Sequence, residues 1–349
     1  MFLHTFLRDY GYLTGYLIVD GLLLFKYLHD LAHLPFLIFE KMAYAVYTLC
    51  RIGSFETAEH TVHCHTLCMV MFDSDSYNAR VWEAMAYSLL AGGKRVRPLL
   101  LLWTGRSLGA EEAELLPFAC ALEMIHTYSL IHDDLPAMDD DDYRRGHLTN
   151  HKVFGEGMAV LAGDGLLNYA FEVMGNAMLQ ESGAAGSEAL GRKAQAMAYL
   201  ARCAGPSGMI GGQAVDLLSE GKSVEPEVLE YIEFNKTSRL LSAALVGGAM
   251  LAGADEAVIG QMQAAGGATG KAFQIWDDVL DVEGSLAEMG KQPQHDSAHQ
   301  KTTFISVYGL GKAKEEARKQ TELALESLKG LPGVYGDQVR ELVSSLVHR

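Results

Sequence analysis

The sequence predicts an all-α protein, and three features of its 349 residues support this class. From about residue 79 onwards, apolar side chains recur at helical spacing, as in the stretch 115–134 that ends just before Pro136. Alternating runs of Val, Ile and Thr bounded by turn residues, which are typical of strands, are almost absent. Prolines number 8, with none between Pro136 and Pro206, where helix-favouring residues are frequent. We therefore expect long and mostly buried helices.

The composition indicates a folded protein that does not bind nucleic acid. Hydrophobic residues make up 49% of the chain, which is enough for a large core. The net charge of −16 argues against nucleic acid, because surfaces that bind it usually carry a basic excess. The 5 cysteines are sparse and show no regular spacing, which favours a reducing compartment and a cytoplasmic location.

The first 78 residues differ from the rest and are expected to form an atypical N-terminal extension ahead of a domain spanning 79–349. They are rich in Leu, Tyr and Phe, but charges such as Asp20, Lys26 and Asp30 interrupt every long apolar run, so a membrane-spanning helix is not expected. Acidic residues outnumber basic ones there, which argues against an organelle transit peptide. Membrane contact through a surface helix is disfavoured but stays open.

The first acidic motif lies in "SLIHDDLPAMDDDDYRRG", residues 129–146, which places six aspartates between Asp133 and Asp142. Carboxylates about 4 Å apart repel by roughly 4 kcal/mol at an effective dielectric of about 20, so this density is costly unless counter-charges neutralise it. Pro136 is expected to end the preceding helix near Asp133. Arg144 and Arg145 follow the aspartates and could supply part of the counter-charge.

The second acidic motif is "FQIWDDVLD". Asp277 and Asp281 are four residues apart, so both face one side of a helix and could reach a shared hard cation through oxygen. The alternative is a solvated acidic face at a helix end. The bulky apolar residues Phe273, Ile275 and Trp276 precede Asp277, which favours a motif that emerges from buried surface.

Several cationic positions could bind phosphate oxygens. Gly92 and Gly93 would let backbone approach a ligand, and Lys94 and Arg97 follow them, although a surface basic turn is the competing interpretation. His126 lies seven residues before Asp133, near the acidic motif. A lone histidine on such a face is more often a packing residue. Three further lysines, which could equally be solvent-exposed, are Lys236, Lys291 and Lys301.

Two carboxylate sets and separate cationic positions in one all-α chain predict a diphosphate site. Divalent cations would bridge the aspartates to a diphosphate, and lysines and arginines would complete its binding site, because so many carboxylates cannot share a cavity without counter-charge.

The motifs "DDLPAMD…RRG", "QIWDDVLD", "GGKRVRP", "GGQAVDL", "NKTSRL" and "KTT" occur in an order that resembles the trans-polyprenyl diphosphate synthase family. The resemblance covers about residues 79–345. It implies an isoprenoid-synthase-type bundle of long helices around a deep central cavity, usually in a homodimer.

The resemblance also implies roles for individual residues. Three Mg²⁺ ions on the allylic diphosphate would be held by Asp133, Asp134, Asp139, Asp277, Asp278 and Asp281, aided by Arg144, Lys236 and Lys291. Isopentenyl diphosphate would be bound by Lys94, Arg97, His126 and Arg145, with Lys301 as a further substrate-binding residue. After the metal-assisted ionisation of the allylic substrate, the cation would be stabilised by the Lys236 carbonyl, Thr237 and Gln274. The isopentenyl double bond then attacks, and the released diphosphate accepts the departing proton.

Tyr128 is expected to set the product length. It lies five residues before Asp133, hence roughly 7–8 Å along the helix, beside Ser129. In the bacterial-type subgroup that carries the insertion Pro136–Ala137, an aromatic residue here goes with the fifteen-carbon product. The prediction is therefore farnesyl diphosphate, with geranylgeranyl diphosphate as the alternative.

Two other protein classes are weaker fits. A terpene cyclase takes a single substrate and would leave Lys94, Arg97 and His126 without a role. A non-catalytic subunit of the same fold should have lost aspartates from one motif, and both motifs are intact.

Overall fold

The computed structural model describes residues 77–180, 183–283 and 303–347, all within one compact unit of the chain that spans residues 72–349. The predicted extension lies outside the described residues except for its last two positions. Lys291 and Lys301 also lie outside them.

The described residues confirm the all-α prediction. Thirteen α-helices and one π-helix account for nearly all regular structure in these ranges. In chain order they are α1 (Ala79–Leu89), α2 (Val96–Ser107), α3 (Glu112–Asp133), α4 (Asn150–Phe154), α5 (Glu156–Leu179), α6 (Gly183–Ala204), α7 (Met209–Ser219), α8 (Pro226–Ile232), the π-helix (Glu233–Ser238), α9 (Arg239–Leu251), α10 (Glu256–Glu283), α11 (Phe304–Tyr308), α12 (Leu310–Ser327) and α13 (Gly333–Val347).

The strands that the structure describes form a single short hairpin between α3 and α4. Strand β1 (Tyr143–Arg144) pairs antiparallel with β2 (His147–Leu148), with Arg144 opposite His147. The hairpin comes directly after the first acidic motif, so it places Arg144 beside Asp134 at the end of α3.

Helices α3 and α9 form the centre of the bundle. Phe118, Leu122 and Ile125 of α3 are fully buried, and α3 packs on α2 and α5. Helix α9 is buried along almost its whole length and packs on α2, α6 and α10. Complete burial of one such apolar side chain contributes about 1.5–3 kcal/mol, so these two helices supply much of the core energy.

Small residues allow α9 to approach its neighbours closely. A methyl group at Gly248 would overlap the carbonyl oxygen of Leu101 in α2, and one at Gly266 of α10 would overlap the backbone of Ser242. Helix α9 is therefore packed closely against α2 and against α10. The contact with α9 fixes the position of α10, which carries the second acidic motif.

None of the helices among the described residues is long and apolar enough to cross a membrane.

Candidate active site

The first acidic motif begins at the C-terminal end of α3, as Pro136 predicts. Asp133 is the last helical residue and its carbonyl oxygen accepts a hydrogen bond of 2.8 Å from the amide of Asp139, which closes the turn between them. Asp134 is only 3% exposed, and one of its carboxylate oxygens accepts a 2.6 Å hydrogen bond from Nε of Arg144. The structure therefore brings the predicted Asp133, Asp134, Asp139 and Arg144 together.

The electrostatics of this motif suit a divalent cation. Burial raises the pKa of Asp133 to about 6, Lys236 opposes the rise, and the carboxylates of Asp139 and Asp134 add to it. Burial likewise raises the pKa of Asp134, against the lowering effect of Arg144. These carboxyl groups are incompletely neutralised by the side chains around them, and carboxylate oxygens are the ligands that Mg²⁺ prefers.

The two arginines of the hairpin contact different partners. Arg144 contacts Asp134, whereas Nη1 of Arg145 donates a 2.6 Å hydrogen bond to the carbonyl oxygen of Gly92. The Arg145 guanidinium packs against Gly93, where an added side-chain carbon would lie 2.8 Å from its Cζ atom and would displace it. The sequence predicts that Gly92 and Gly93 serve a ligand directly, and the structure shows that they also hold this arginine.

A cationic cluster is formed by Arg97, Arg145 and His126, which interact electrostatically. Burial lowers the pKa of Arg97 to about 10, with Glu123 opposing and Arg145 contributing to the decrease. Burial and then the charges of Arg97 and Arg145 hold the pKa of His126 well below its usual value. The imidazole is therefore neutral near pH 7 in a region of excess positive charge, which is the environment that an anion such as a diphosphate would complete.

Arg95 and Lys94, which precede Arg97, take different positions. Arg95 is buried in the left-handed conformation (φ 48°), and its guanidinium donates a 2.5 Å hydrogen bond to Glu123 and another to the carbonyl of Leu89. Arg95 thus forms a structural ion pair with Glu123. Lys94 is exposed on the turn between α1 and α2.

The predicted Lys236 and Thr237 lie in the π-helix, a rare conformation that is frequent at functional sites. Nζ of Lys236 donates a 2.6 Å hydrogen bond to Asp216 of α7. Burial lowers the pKa of Lys236, but Asp216 and then Asp133 outweigh this effect and the pKa is raised. Thr237 donates a 3.2 Å hydrogen bond to the side-chain oxygen of Gln274. The three residues predicted to face the allylic group are therefore brought together.

A cleft with a cavity volume of about 140 Å³ opens to solvent beside the second motif. Lys236 lines this cleft and also interacts electrostatically with Asp133 and Asp139 of the first motif. Asp278 of the second motif lines the same cleft. Its other main lining residues are Asp216, Glu233, Thr237, Gln274 and Thr303.

The second acidic motif occupies the last turns of α10. Asp277 is half-buried, while Asp278 and Asp281 are buried. An oxygen of Asp278 accepts a 2.8 Å hydrogen bond from the amide of Phe304, so this residue also anchors the start of α11. No three acidic, histidine or cysteine side chains in the described ranges surround one common cation position. A cation at this site would need ligand oxygens in addition to those of the protein.

Tyr128 is 5% exposed, and its hydroxyl has no hydrogen-bond partner among the described residues. Burial and the charge of Asp133 raise its pKa to about 12, and its ring meets that of His132 edge-on at 5.8 Å. The hydroxyl of Ser129 donates a 2.9 Å hydrogen bond to the carbonyl of His126, within the same helix.

Sequence reasoning missed three acidic residues of the site, namely Glu123, Asp216 and Glu233. Glu123 and Asp216 are ion-pair partners of Arg95 and Lys236, and Glu233 lines the cleft. Of the three, only Asp216 could have been found from the sequence, because it lies inside the "GGQAVDL" motif.

The comparisons with known proteins show which family the chain resembles. The family model described as polyprenyl synthetase matches residues 78–332. A farnesyl diphosphate synthase of Geobacillus stearothermophilus is 46% identical over 272 residues, covering 77% of this chain and 90% of its own length. A chloroplastic geranylgeranyl pyrophosphate synthase of Catharanthus roseus is 46% identical over 71% of this chain and 68% of its own.

Solved structures resemble the chain over most of its length. An FPP/GFPP synthase of Zymomonas mobilis, solved without ligands, has a TM-score of 0.71 and 31% identity, covering 88% of this chain and 100% of its own. A geranyltransferase of Helicobacter pylori complexed with magnesium and isoprenyl diphosphate has a TM-score of 0.70 and 31% identity, covering 85% and 98%.

Proposed function

Because the chain belongs to the polyprenyl synthetase family, we propose that it is a prenyltransferase that condenses isopentenyl diphosphate with dimethylallyl or geranyl diphosphate to give (2E,6E)-farnesyl diphosphate. The observation that carries this proposal is the presence of two differently charged regions in one site. One is the acidic cleft that Lys236 and Asp278 line, and the other is the cationic cluster of Arg97, Arg145 and His126. A reaction between two substrates that each carry a diphosphate needs both regions.

The allylic diphosphate would bind at the aspartates with the help of metal ions. The Helicobacter pylori relative holds magnesium together with isoprenyl diphosphate, and Mg²⁺ would here neutralise the leaving diphosphate. The residues that would hold it are Asp133, Asp134, Asp139, Asp277, Asp278 and Asp281. Arg144, Lys236 and Lys291 would contact the same diphosphate and add positive charge as the C–O bond breaks.

The π-helix would face the reacting carbon. The carbonyl of Lys236, the hydroxyl of Thr237 and the amide oxygen of Gln274 present partial negative charge that stabilises the allylic cation. The hydrogen bond between Thr237 and Gln274 restricts how these groups can turn. Fixed dipoles of this kind need little reorganisation during the reaction.

Isopentenyl diphosphate would bind at the cationic cluster. Arg97, Arg145 and neutral His126 would hold its diphosphate, with Lys94 and Lys301 as further contacts. Its double bond forms the new C–C bond to the allylic carbon, and the proton lost from the isopentenyl unit passes to the released diphosphate. No nucleophilic side chain is required.

Incubating the purified chain with isopentenyl and dimethylallyl or geranyl diphosphate and identifying the products by mass spectrometry tests this function. We expect the fifteen-carbon product. Failure to incorporate labelled isopentenyl diphosphate would favour a cyclase and contradict the proposal.

Tyr128 determines which of two candidate products is expected. The similarity to geranylgeranyl pyrophosphate synthases favours the twenty-carbon alternative. The buried aromatic ring five residues before Asp133 favours farnesyl diphosphate. Tyr128→Ala should therefore lengthen the product, and Tyr128→Phe, which keeps the ring, should not. A mainly twenty-carbon product from the unchanged chain would contradict the role of Tyr128.

We also propose that the protein acts in the cytoplasm as a homodimer and that residues 1–78 form an extension separate from the catalytic domain. Cys203, in the part of the chain that the structure describes, is buried and forms no disulfide, as expected in a reducing compartment. Exposed apolar side chains on α4 and α5, among them Val153 and Leu161, support a subunit contact.

A further inference from the structure

Glu233 is a buried carboxyl group for which the proposed mechanism has no use. It is the first residue of the π-helix and is 5% exposed. Neither of its carboxylate oxygens has a hydrogen-bond partner among the described residues. Its side chain lines the cleft that also contains Lys236 and Asp278. A buried polar group without a partner is costly, and a bound cation would satisfy both oxygens of this one.

The charges that act on Glu233 do not balance. Asp278, which is also 5% exposed, and Glu230 act on it as like charges. The opposing charge is that of Lys271, whose Nζ lies 3.6 Å from Glu230 and 3.5 Å from Glu316. Since Lys271 is shared among three carboxyl groups, it neutralises Glu233 only in part. Burial and these like charges raise the pKa of Glu233 to about 8.

The backbone fixes Glu233 on this side of the cleft. A side chain at Gly212 of α7 would overlap the backbone of Lys236, and one at Gly270 of α10 would overlap Ser238. The π-helix is therefore held tightly from both sides. Glu233 and Asp278 lie on these two packed elements, π-helix and α10, and both line the cleft.

We propose that Glu233 and Asp278 form a further subsite for a divalent cation in this cleft. The two carboxylates supply hard oxygen ligands, and the remaining ligands come from a bound diphosphate or from water. That the diphosphate is the allylic substrate rests on the proposed function. The presence of the cation subsite itself does not.

The test is a Mn²⁺ titration of the full chain with inorganic pyrophosphate as the diphosphate probe, in which free Mn²⁺ is followed by electron paramagnetic resonance. Glu233→Gln keeps the size of the side chain and removes its charge, and we expect it to weaken binding of one Mn²⁺ by about tenfold or more. Glu230→Gln, the matched control, removes an exposed carboxylate one turn away and should change the affinity by less than about twofold. Unchanged Mn²⁺ binding in Glu233→Gln would overturn the proposal.

Thermal unfolding without metal excludes a simple loss of structure. Glu233→Gln should raise the melting temperature of the metal-free chain above pH 8, because it removes a buried carboxylate that no donor satisfies. A higher melting temperature together with weaker Mn²⁺ binding supports a cation ligand. If Glu233→Gln is instead less stable than the unchanged chain, Glu233→Asp provides the second test. Glu233→Asp keeps the negative charge and should bind Mn²⁺ more tightly than Glu233→Gln. Equal binding by the two variants would overturn the proposal.

The same measurements separate this inference from the proposed function. A chain that binds Mn²⁺ as expected but makes no prenyl product leaves the subsite standing and removes the proposed function. If the unchanged chain makes farnesyl diphosphate and Glu233→Gln binds Mn²⁺ normally, the proposed function stands and the cation subsite is overturned.

Discussion

Three residues in the described ranges adopt the left-handed backbone conformation without being glycine. They are Arg95 (φ 48°), Asp140 (φ 53°) and Arg145 (φ 54°), and all three belong to the acidic or cationic motifs. Such conformations cost of order 1–3 kcal/mol each and persist where the surrounding structure enforces them. Here the enforcing contacts are the Arg95–Glu123 ion pair and the hydrogen bond from Arg145 to Gly92.

His126 should make stability depend on pH. Its pKa is lowered in the folded chain by burial and by nearby arginines, so the unfolded chain binds a proton more readily as the pH falls below about 6.5. The contribution of neutral His126 is therefore fully present above that pH and is lost as the pH falls towards the folded pKa. Urea unfolding at about pH 5.5 and 7.5 should show a smaller pH effect in His126→Gln than in the unchanged chain.

The exposed His147 of the hairpin provides the control, since His147→Gln should leave the difference between the two pH values unchanged. An equal pH effect in His126→Gln and the unchanged chain would rule out the stabilising role assigned to neutral His126.

The sequence could predict local features of the site but not its long-range pairs. The end of α3 at Asp133 follows from Pro136, and the position of Asp277 and Asp281 in one helix follows from their spacing. The pairs Arg95–Glu123 and Lys236–Asp216 join residues 28 and 20 positions apart. These pairs depend on how helices pack, and no local pattern encodes that. The ligand roles of the aspartates stay predictions.

At the level of whole elements, the π-helix is the feature that the sequence did not predict. Helix α7 packs on one side of it and α10 on the other, at positions where only glycine fits. This packing explains why a short stretch with poorer hydrogen-bond geometry is retained between α8 and α9. It also sets the direction in which Lys236 and Thr237 face.

Gly212→Ala should therefore damage both stability and activity. The added methyl group would overlap the backbone nitrogen of Lys236, which cannot move without displacing the π-helix. We expect a loss of about 1–3 kcal/mol in the free energy of unfolding and a lower kcat for prenyl transfer.

The control for this change is Gly175→Ala, inside α5, where nothing lies within 4 Å of the added carbon. Removing a helical glycine should stabilise the chain by about 0.5–1 kcal/mol. Normal activity and stability in Gly212→Ala would show that the contact between α7 and the π-helix does not position Lys236.

For the whole molecule, the family match and all the described site residues lie within residues 72–349. A chain that lacks residues 1–71 should therefore still fold into a helical protein, as seen by circular dichroism, and should still form farnesyl diphosphate, measured as labelled product. Loss of activity with unchanged helical content would instead assign residues 1–71 a part in the reaction.

The hairpin after the first acidic motif links two regions that would otherwise be independent. Arg144 and Arg145 are neighbours in the chain, yet one contacts Asp134 and the other Gly92. Because the two residues are adjacent, a ligand that shifts the hairpin backbone at one arginine also shifts the other. We therefore expect occupancy of either half of the site to alter affinity at the other half by the same factor.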